Sequence, residues 1–242
     1  MSILEQRLVP GLVGISTFVD YVYQREMQRT AVRIAGTGGL INQLRSATVT
    51  LDFNLLVTNL KADRRGAAEE QVAEACRSLE AAGADFLVVT SGTTSTLTAR
   101  ARERVAIPFL DLAWACWQDG RPAEPVGLLC TRYATAGGLF QAAARRAGAP
   151  LILPTPETAE RVDQVIFDEL ISGQVSEAGI RTLGTAVTEL ATRGAASVIL
   201  GNTDMTLAAE RLKDVVRVPL VDAARVHARV AARVALDGRL EG

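Results

Sequence analysis

Every residue from Thr90 to Ser95 is glycine or bears a hydroxyl, and seven of the nine residues from Thr90 to Thr98 carry a hydroxyl. They follow the apolar run Phe86-Leu-Val-Val89 and precede Leu97 to Val105, whose composition is helical. A strand entering a helix through such a turn aims backbone N–H groups, hydroxyls and the positive helix end at one spot. That spot suits a carboxylate or a phosphate. Ser91, Gly92, Thr93 and Thr94 are the expected contacts. One helix cap needs fewer hydroxyls than this, so ligand contact is the favoured reading.

The same arrangement recurs at an offset of 111 residues. Gly83-Ala84 falls on Gly194-Ala195, Leu87 to Val89 on Val198 to Leu200, Ser91 on Asn202, Pro108 on Pro219 and Asp111 on Asp222. Chance matching of alanine-rich helices does not easily bring Gly, Pro and Asp into one ungapped register. The chain therefore reads as an internal duplication, with two turns expected to face each other across a cleft. Asn202, Thr203 and Asp204 make up the second turn. Asp204 is the best-placed carboxylate for proton transfer, with the N-cap of a helix Leu207 to Val215 as its plain alternative. His227, the only histidine, lies on an Ala/Val-rich helix and reads as a packing or surface residue before a catalytic one. Cys130, at a strand end, reads as a buried inert thiol before a reactive one.

Positioning these groups requires alternating strands and helices. Leu8 to Ile15, Ala47 to Phe53, Phe86 to Val89 and Phe109 to Leu112 read as strands of a first lobe. Pro125 to Cys130, Pro150 to Leu153 and Val198 to Leu200 read as strands of a second. Helices are expected over Phe18 to Ala35, Ala67 to Ala82, Ala136 to Ala147, Thr158 to Gly173, Glu177 to Arg193 and Ala223 to Leu236. Leu55 to Arg65 reads as a loop, Trp114 to Glu124 as a crossing between lobes, and Leu220-Val221 as the return to the first. The expected lobes are thus residues 1–113 plus 220–242, and 114–219. The fold class is α/β: two pseudo-symmetric Rossmann-like lobes with parallel sheets and an active-site cleft between them. Ligands of such sheets sit beyond the carboxyl ends of the strands, which adds Ser16, Thr17, Asn54, Thr131 and Thr135 as substrate contacts. From spacing alone Ser16 and Thr17 read as a plain helix cap before substrate hydroxyls. Gly36-Thr-Gly-Gly39 is a turn and not a phosphate loop, since no Lys-Ser/Thr follows it.

Composition sets the outer limits. A chain of 242 residues can bury two cores of about a hundred residues each. Its net charge of −1 gives no reason to expect nucleic acid or an anionic membrane as partner. No apolar run reaches spanning length, and Met1 to Pro10 has no signal-peptide core. Three cysteines without metal spacing fit free thiols in a reducing cytoplasm, and one histidine argues against a His-based metal site. Lys61 and Lys213 are the only lysines, so the arginine excess reads as coding bias.

The run Leu79 to Ser95 resembles the first signature of the aspartate/glutamate racemase superfamily. Gly194 to Asp204 resembles the second, Val218-Pro-Leu-Val-Asp222 its usual sequel, and Val126-Gly-Leu-Leu-Cys-Thr131 the strand opening the second lobe. The family's glycine-rich first turn is reduced to Val13-Gly-Ile-Ser-Thr17. The resemblance implies a pseudo-symmetric cleft, no cofactor, and two opposed cysteines handling the α-proton of a small carboxylate. Carried onto this chain, those cysteine positions are Ser91 and Asn202, which with Asp204 make the expected catalytic set. A hydroxyl does not titrate near neutrality and an amide carries no exchangeable catalytic proton, so the two-thiol mechanism is not available. The expected function is a cofactor-independent isomerase, lyase, decarboxylase or cyclase acting on a small carboxylate without cysteine. An inactive carboxylate-binding or regulatory protein ranks second and a two-thiol amino-acid racemase last; a homodimer is one option for its assembly.

Overall fold

The computed structural model describes residues 6–35 and 43–240. The expected turn Gly36 to Gly39 and the first five residues of the Met1 to Pro10 segment lie outside the described residues. The chain divides into two compact units, residues 1–111 with 227–242, and residues 112–226.

The first unit runs β1 (Pro10–Gly14), α1 (Thr17–Ala35), β2 (Ala47–Thr50), α2 (Phe53–Lys61), α3 (Arg65–Ala81), β3 (Phe86–Val89), α4 (Gly92–Ser95), α5 (Ala99–Arg104) and β4 (Phe109–Leu110). The second runs α6 (Leu112–Gln118), β5 (Val126–Leu129), α7 (Arg132–Ala136), α8 (Leu139–Ala147), β6 (Leu151–Ile152), α9 (Pro156–Asp168), α10 (Glu177–Thr192), β7 (Ser197–Leu200), a 3₁₀ segment Thr203–Leu207, α11 (Ala209–Val215) and β8 (Leu220–Asp222). Helix α12 (Ala223–Asp237) closes the chain. Each sheet has four parallel strands, ordered β2-β1-β3-β4 and β6-β5-β7-β8. β3, β5 and β7 are buried along their whole length, as parallel strands covered on both faces must be. Val13, Leu79, Leu87 and Val89 centre the first core, and Leu129, Ile166, Leu190 and Val198 the second.

The duplication is visible in the backbone. Leu87 pairs with Phe109 and Val198 with Leu220, both displaced by the same 111 residues. Gly83 and Gly194 end α3 and α10 with φ of +85° and +100°, conformations in which a side chain would be strained. Gly83 N–H donates to Glu80 O and Ala84 N–H to Leu79 O; Gly194 N–H donates to Ala191 O and Ala195 N–H to Leu190 O. Thr90 N–H reaches Val13 O as Gly201 N–H reaches Leu129 O.

Four expectations differ from the structure. Residues 53–61 are helix and not loop, because Asp52 Oδ1 accepts Leu55 N–H (2.9 Å) and caps α2. Leu112–Gln118 is helical, with Ala113, Cys116 and Trp117 buried, where a crossing was expected. Of the expected helix Leu97 to Val105 only Ala99–Arg104 (α5) is helical, and a separate short helix, Gly92–Ser95 (α4), forms in the turn before it. Leu220–Asp222 pairs with β7 and completes the second sheet, so the return to the first unit comes at His227 and not at 220.

Candidate functional site

In the first unit β3 delivers Thr90 to Thr94 to its carboxyl end. Ser91 is the N-cap of α4 and its Oγ accepts Thr94 N–H (3.2 Å). An oxygen used as acceptor leaves the Ser91 hydroxyl proton available to a ligand. Four residues of helix sum to little macrodipole, so the donors here are individual N–H and O–H groups. Much of the hydroxyl excess is internal. Ser95, Thr96 and Thr98 donate to Ser91 O, Thr93 O and Ser95 O. Thr94 Oγ1 is different: the residue is 0% exposed and the atom has no hydrogen-bond partner. The same holds for Ser16 Oγ, 8% exposed, at the end of neighbouring β1. Ser16 therefore does not cap α1 with its side chain, and Thr17 beside it is exposed. Asn54 is not at a strand end: β2 stops at Thr50, and Asn54 lies exposed in the first turn of α2.

The second unit repeats the cap in another chemistry. Asn202 Oδ1 accepts Asp204 N–H (3.1 Å), leaving its amide N–H groups as donors. Thr203 and Asp204 are buried in the 3₁₀ segment. Asp204 is not the N-cap of the following helix, which starts at Ala209 after Ala208 with no side-chain cap. At the end of adjacent β5, Thr131 Oγ1 accepts Ala134 N–H (3.1 Å), and Thr135 Oγ1 donates to Thr131 O (3.1 Å) and lies 3.1 Å from Cys130 Sγ. Burial pushes the Cys130 thiol up to about 12, so it is an inert packing group at neutral pH.

One carboxylate at these strand ends is absent from the expected set. Asp20 on α1 is 7% exposed and accepts hydrogen bonds from Thr90 Oγ1 (3.0 Å), Thr50 Oγ1 (3.0 Å) and the Ile15 backbone. It thereby ties together the ends of β1, β2 and β3. Burial pushes its carboxyl above the ordinary aspartate range, and the three hydrogen bonds pull it only part of the way back. Gly14 makes the room: a Cβ there would lie 2.2 Å from Asp20 Oδ2.

The profile of the Asp/Glu/Hydantoin racemase family matches residues 49–231. The chain belongs to that family. Among solved structures, a protein from Yersinia pestis described as a candidate Asp/Glu racemase is 25% identical, with a TM-score of 0.79 over 95% of this chain and 100% of that one. An aspartate racemase homologue from Pyrococcus horikoshii OT3 is 20% identical (TM-score 0.71; 95% and 99% covered). An aspartate racemase from Picrophilus torridus is 14% identical (TM-score 0.71; 97% and 96% covered). The last two establish likeness of fold.

As a member of the Asp/Glu/Hydantoin racemase family, the chain has no cysteine in either strand-end turn, and Cys76, Cys116 and Cys130 are all buried. Among the described residues no group of three His, Cys, Asp or Glu side chains could hold a metal, and no helix is long and apolar enough to cross a membrane. His227 is a packed residue of the first unit. It is fully buried, with Nδ1 2.9 Å from Tyr23 Oη and Nε2 3.3 Å from Leu110 O, and burial lowers its pKa to about 4. The unfolded chain takes up this proton near pH 6.5, whereas the native ring resists it until about 4. Stability from this residue is therefore lost as pH falls from 6.5 to 4, by about 3 kcal/mol in all. His227→Gln should remove that acid-side loss from the unfolding midpoints followed by circular dichroism between pH 7 and 4. An unchanged pH profile would reassign the acid sensitivity elsewhere.

Proposed function

We propose that this protein is a cofactor-independent enzyme acting on a small carboxylate or amino-acid-like substrate, by isomerisation, elimination, decarboxylation or cyclisation without a cysteine. The observation that carries the reading is the pair of buried hydroxyls, Ser16 Oγ and Thr94 Oγ1, with no partner at the carboxyl ends of adjacent strands. A buried polar atom left unpaired costs about 1–3 kcal/mol, a cost that a bound carboxylate would offset. The donors left outward by the Ser91 and Asn202 caps support the same reading, since hydrogen bonds to an ionised group are stronger than neutral ones. Gly92, Thr93 and Thr203 would add backbone or hydroxyl contacts, and Asp204 would move the proton. The family's name makes an amino-acid substrate the first class to screen.

Thr94→Val tests this directly, because it keeps the shape and removes the orphan hydroxyl. The unliganded variant should be more stable than wild type by about 1–3 kcal/mol, since a desolvated unpaired group is gone. It should also bind small carboxylates about 10–100-fold more weakly in titration calorimetry, the loss of one charge-assisted bond. Equal affinity in both proteins would show that the ligand sits elsewhere. A carboxylate-binding protein without chemistry is the second reading, favoured by the absence of a thiol from both turns. Binding without any turnover across the screened set would select it.

A further inference from the structure

We infer that Arg132, held in place by Asp163, is an anion anchor of the second unit and contacts the carboxylate ligand; this rests on the carboxylate reading above. Arg132 is the first residue of α7, directly after Thr131 at the carboxyl end of β5. β5 pairs with β7 through Leu129 and Leu200, so Arg132 and the Asn202–Asp204 turn leave neighbouring strands at the same edge of one sheet. Asp163, on α9, has a side chain only 6% exposed and accepts both the Arg132 backbone N–H (3.1 Å) and Arg132 Nε (2.7 Å).

That grip engages one edge of the guanidinium. The Nη1 and Nη2 groups have no hydrogen bond among the described residues, and the Arg132 side chain is 63% exposed. An arginine that only stabilised α7 would have little reason for this geometry. A half-exposed ion pair adds little to stability, and Asp163 already accepts the backbone N–H at the start of the helix. As an anion receptor the arrangement is well matched. The planar fork suits a carboxylate, and fixing Nε in advance removes rotamer entropy that a loose arginine would lose on binding.

The repeat sharpens the point. In the first unit the corresponding helix α1 begins with Thr17 and places the acid Asp20 fourth; in the second, α7 begins with Arg132 and places Thr135 fourth. The first helical turn after the opening strand thus carries an acid in one unit and a cation in the other, at different positions.

The experiment titrates malonate, succinate and both enantiomers of glutamate into wild type, Arg132→Gln, Arg132→Lys, Asp163→Asn and the Arg132→Gln/Asp163→Asn pair. Arg132→Gln should weaken the best-bound probe about 10–100-fold and flatten the decline of affinity with added salt, with little change in unliganded melting temperature. Arg132→Lys should be intermediate, because it keeps charge but not the Nε contact. Asp163→Asn should weaken binding alone and add nothing to Arg132→Gln, the signature of a positioning residue. Full affinity in Arg132→Gln, with binding lost in Thr94→Val, would overturn the anchor and leave the carboxylate reading intact. Full affinity in Asp163→Asn alone would overturn the positioning role. No binding of any probe to wild type would overturn both readings together.

Discussion

Incubated with either enantiomer of aspartate or glutamate in D2O, the protein is expected to leave the configuration at the α-carbon unchanged. Inversion needs one acid–base group on each face of that carbon, with a pKa near the working pH. The two strand-end turns offer Ser91 and Asn202 at their caps, and neither side chain titrates near neutrality. The thiols are not expected to substitute for them. Burial pushes Cys76 and Cys130 up to about 12, and Cys116 Sγ donates to Leu112 O within α6. A missing positioned acid–base group costs about 10²–10⁴ in rate. Chiral chromatography measures inversion, and NMR measures α-deuteration. Enzyme-dependent inversion abolished by Ser91→Ala would overturn this expectation and make the Ser91 hydroxyl an acid–base group. Deuteration with retention, abolished by Asp204→Asn, would identify a one-base enzyme.

The second large effect is on stability. Gly14→Ala should destabilise the first unit by about 2–5 kcal/mol, combining steric overlap with the loss of buried hydrogen bonds. The new Cβ would meet the Asp20 carboxylate at 2.2 Å, so Asp20 must abandon Thr90, Thr50 and the Ile15 backbone, or α1 must move. Gly14→Ala/Asp20→Ala removes the overlap and should recover part of the loss, giving a coupling energy above about 1 kcal/mol in a double-mutant cycle. Strict additivity would mean that α1 gives way instead. Asp20→Asn makes a separate point about charge. Its raised pKa means that the native state holds the proton more tightly, so stability from Asp20 is present below the unfolded pKa and lost as pH rises through the folded one. The Asn variant should lose that slope.

The sequence makes the strand-end turns legible for a physical reason. A fully buried parallel strand must be apolar throughout, and the abrupt change to glycine and hydroxyls at Thr90 and Gly201 marks its end. The Gly83/Gly194 pair marks where both helices stop. Other features left weaker traces. The α2 segment Phe53-Asn-Leu-Leu-Val-Thr-Asn-Leu-Lys61 is short and rich in β-favouring residues, and only the capping of Leu55 N–H by Asp52 decides for helix. Asp20 reads from sequence as an ordinary first-turn acid, and no spacing says that it turns inward. Gly14, two residues before Ser16, is the one clue, because it makes sense only if something large approaches the backbone there. Arg132 is hidden among many arginines, and only the three-dimensional position of Asp163 separates it from the rest.

The discontinuous first unit has a consequence for biosynthesis. Its strands are made before the second unit, yet the segment from His227 that completes it is made only after that unit. Arg7 and Leu8 N–H both donate to Ala235 O, and the His227 ring sits between Tyr23 and Leu110. The second unit, continuous from Leu112 to Val226, has all its strands and helices available while the earlier half of the polypeptide still waits for its closing helix. During translation Tyr23, Leu110 and the Arg7-Leu8 backbone therefore wait for their partners until the second unit has been made, an interval in which an incompletely folded unit is open to aggregation.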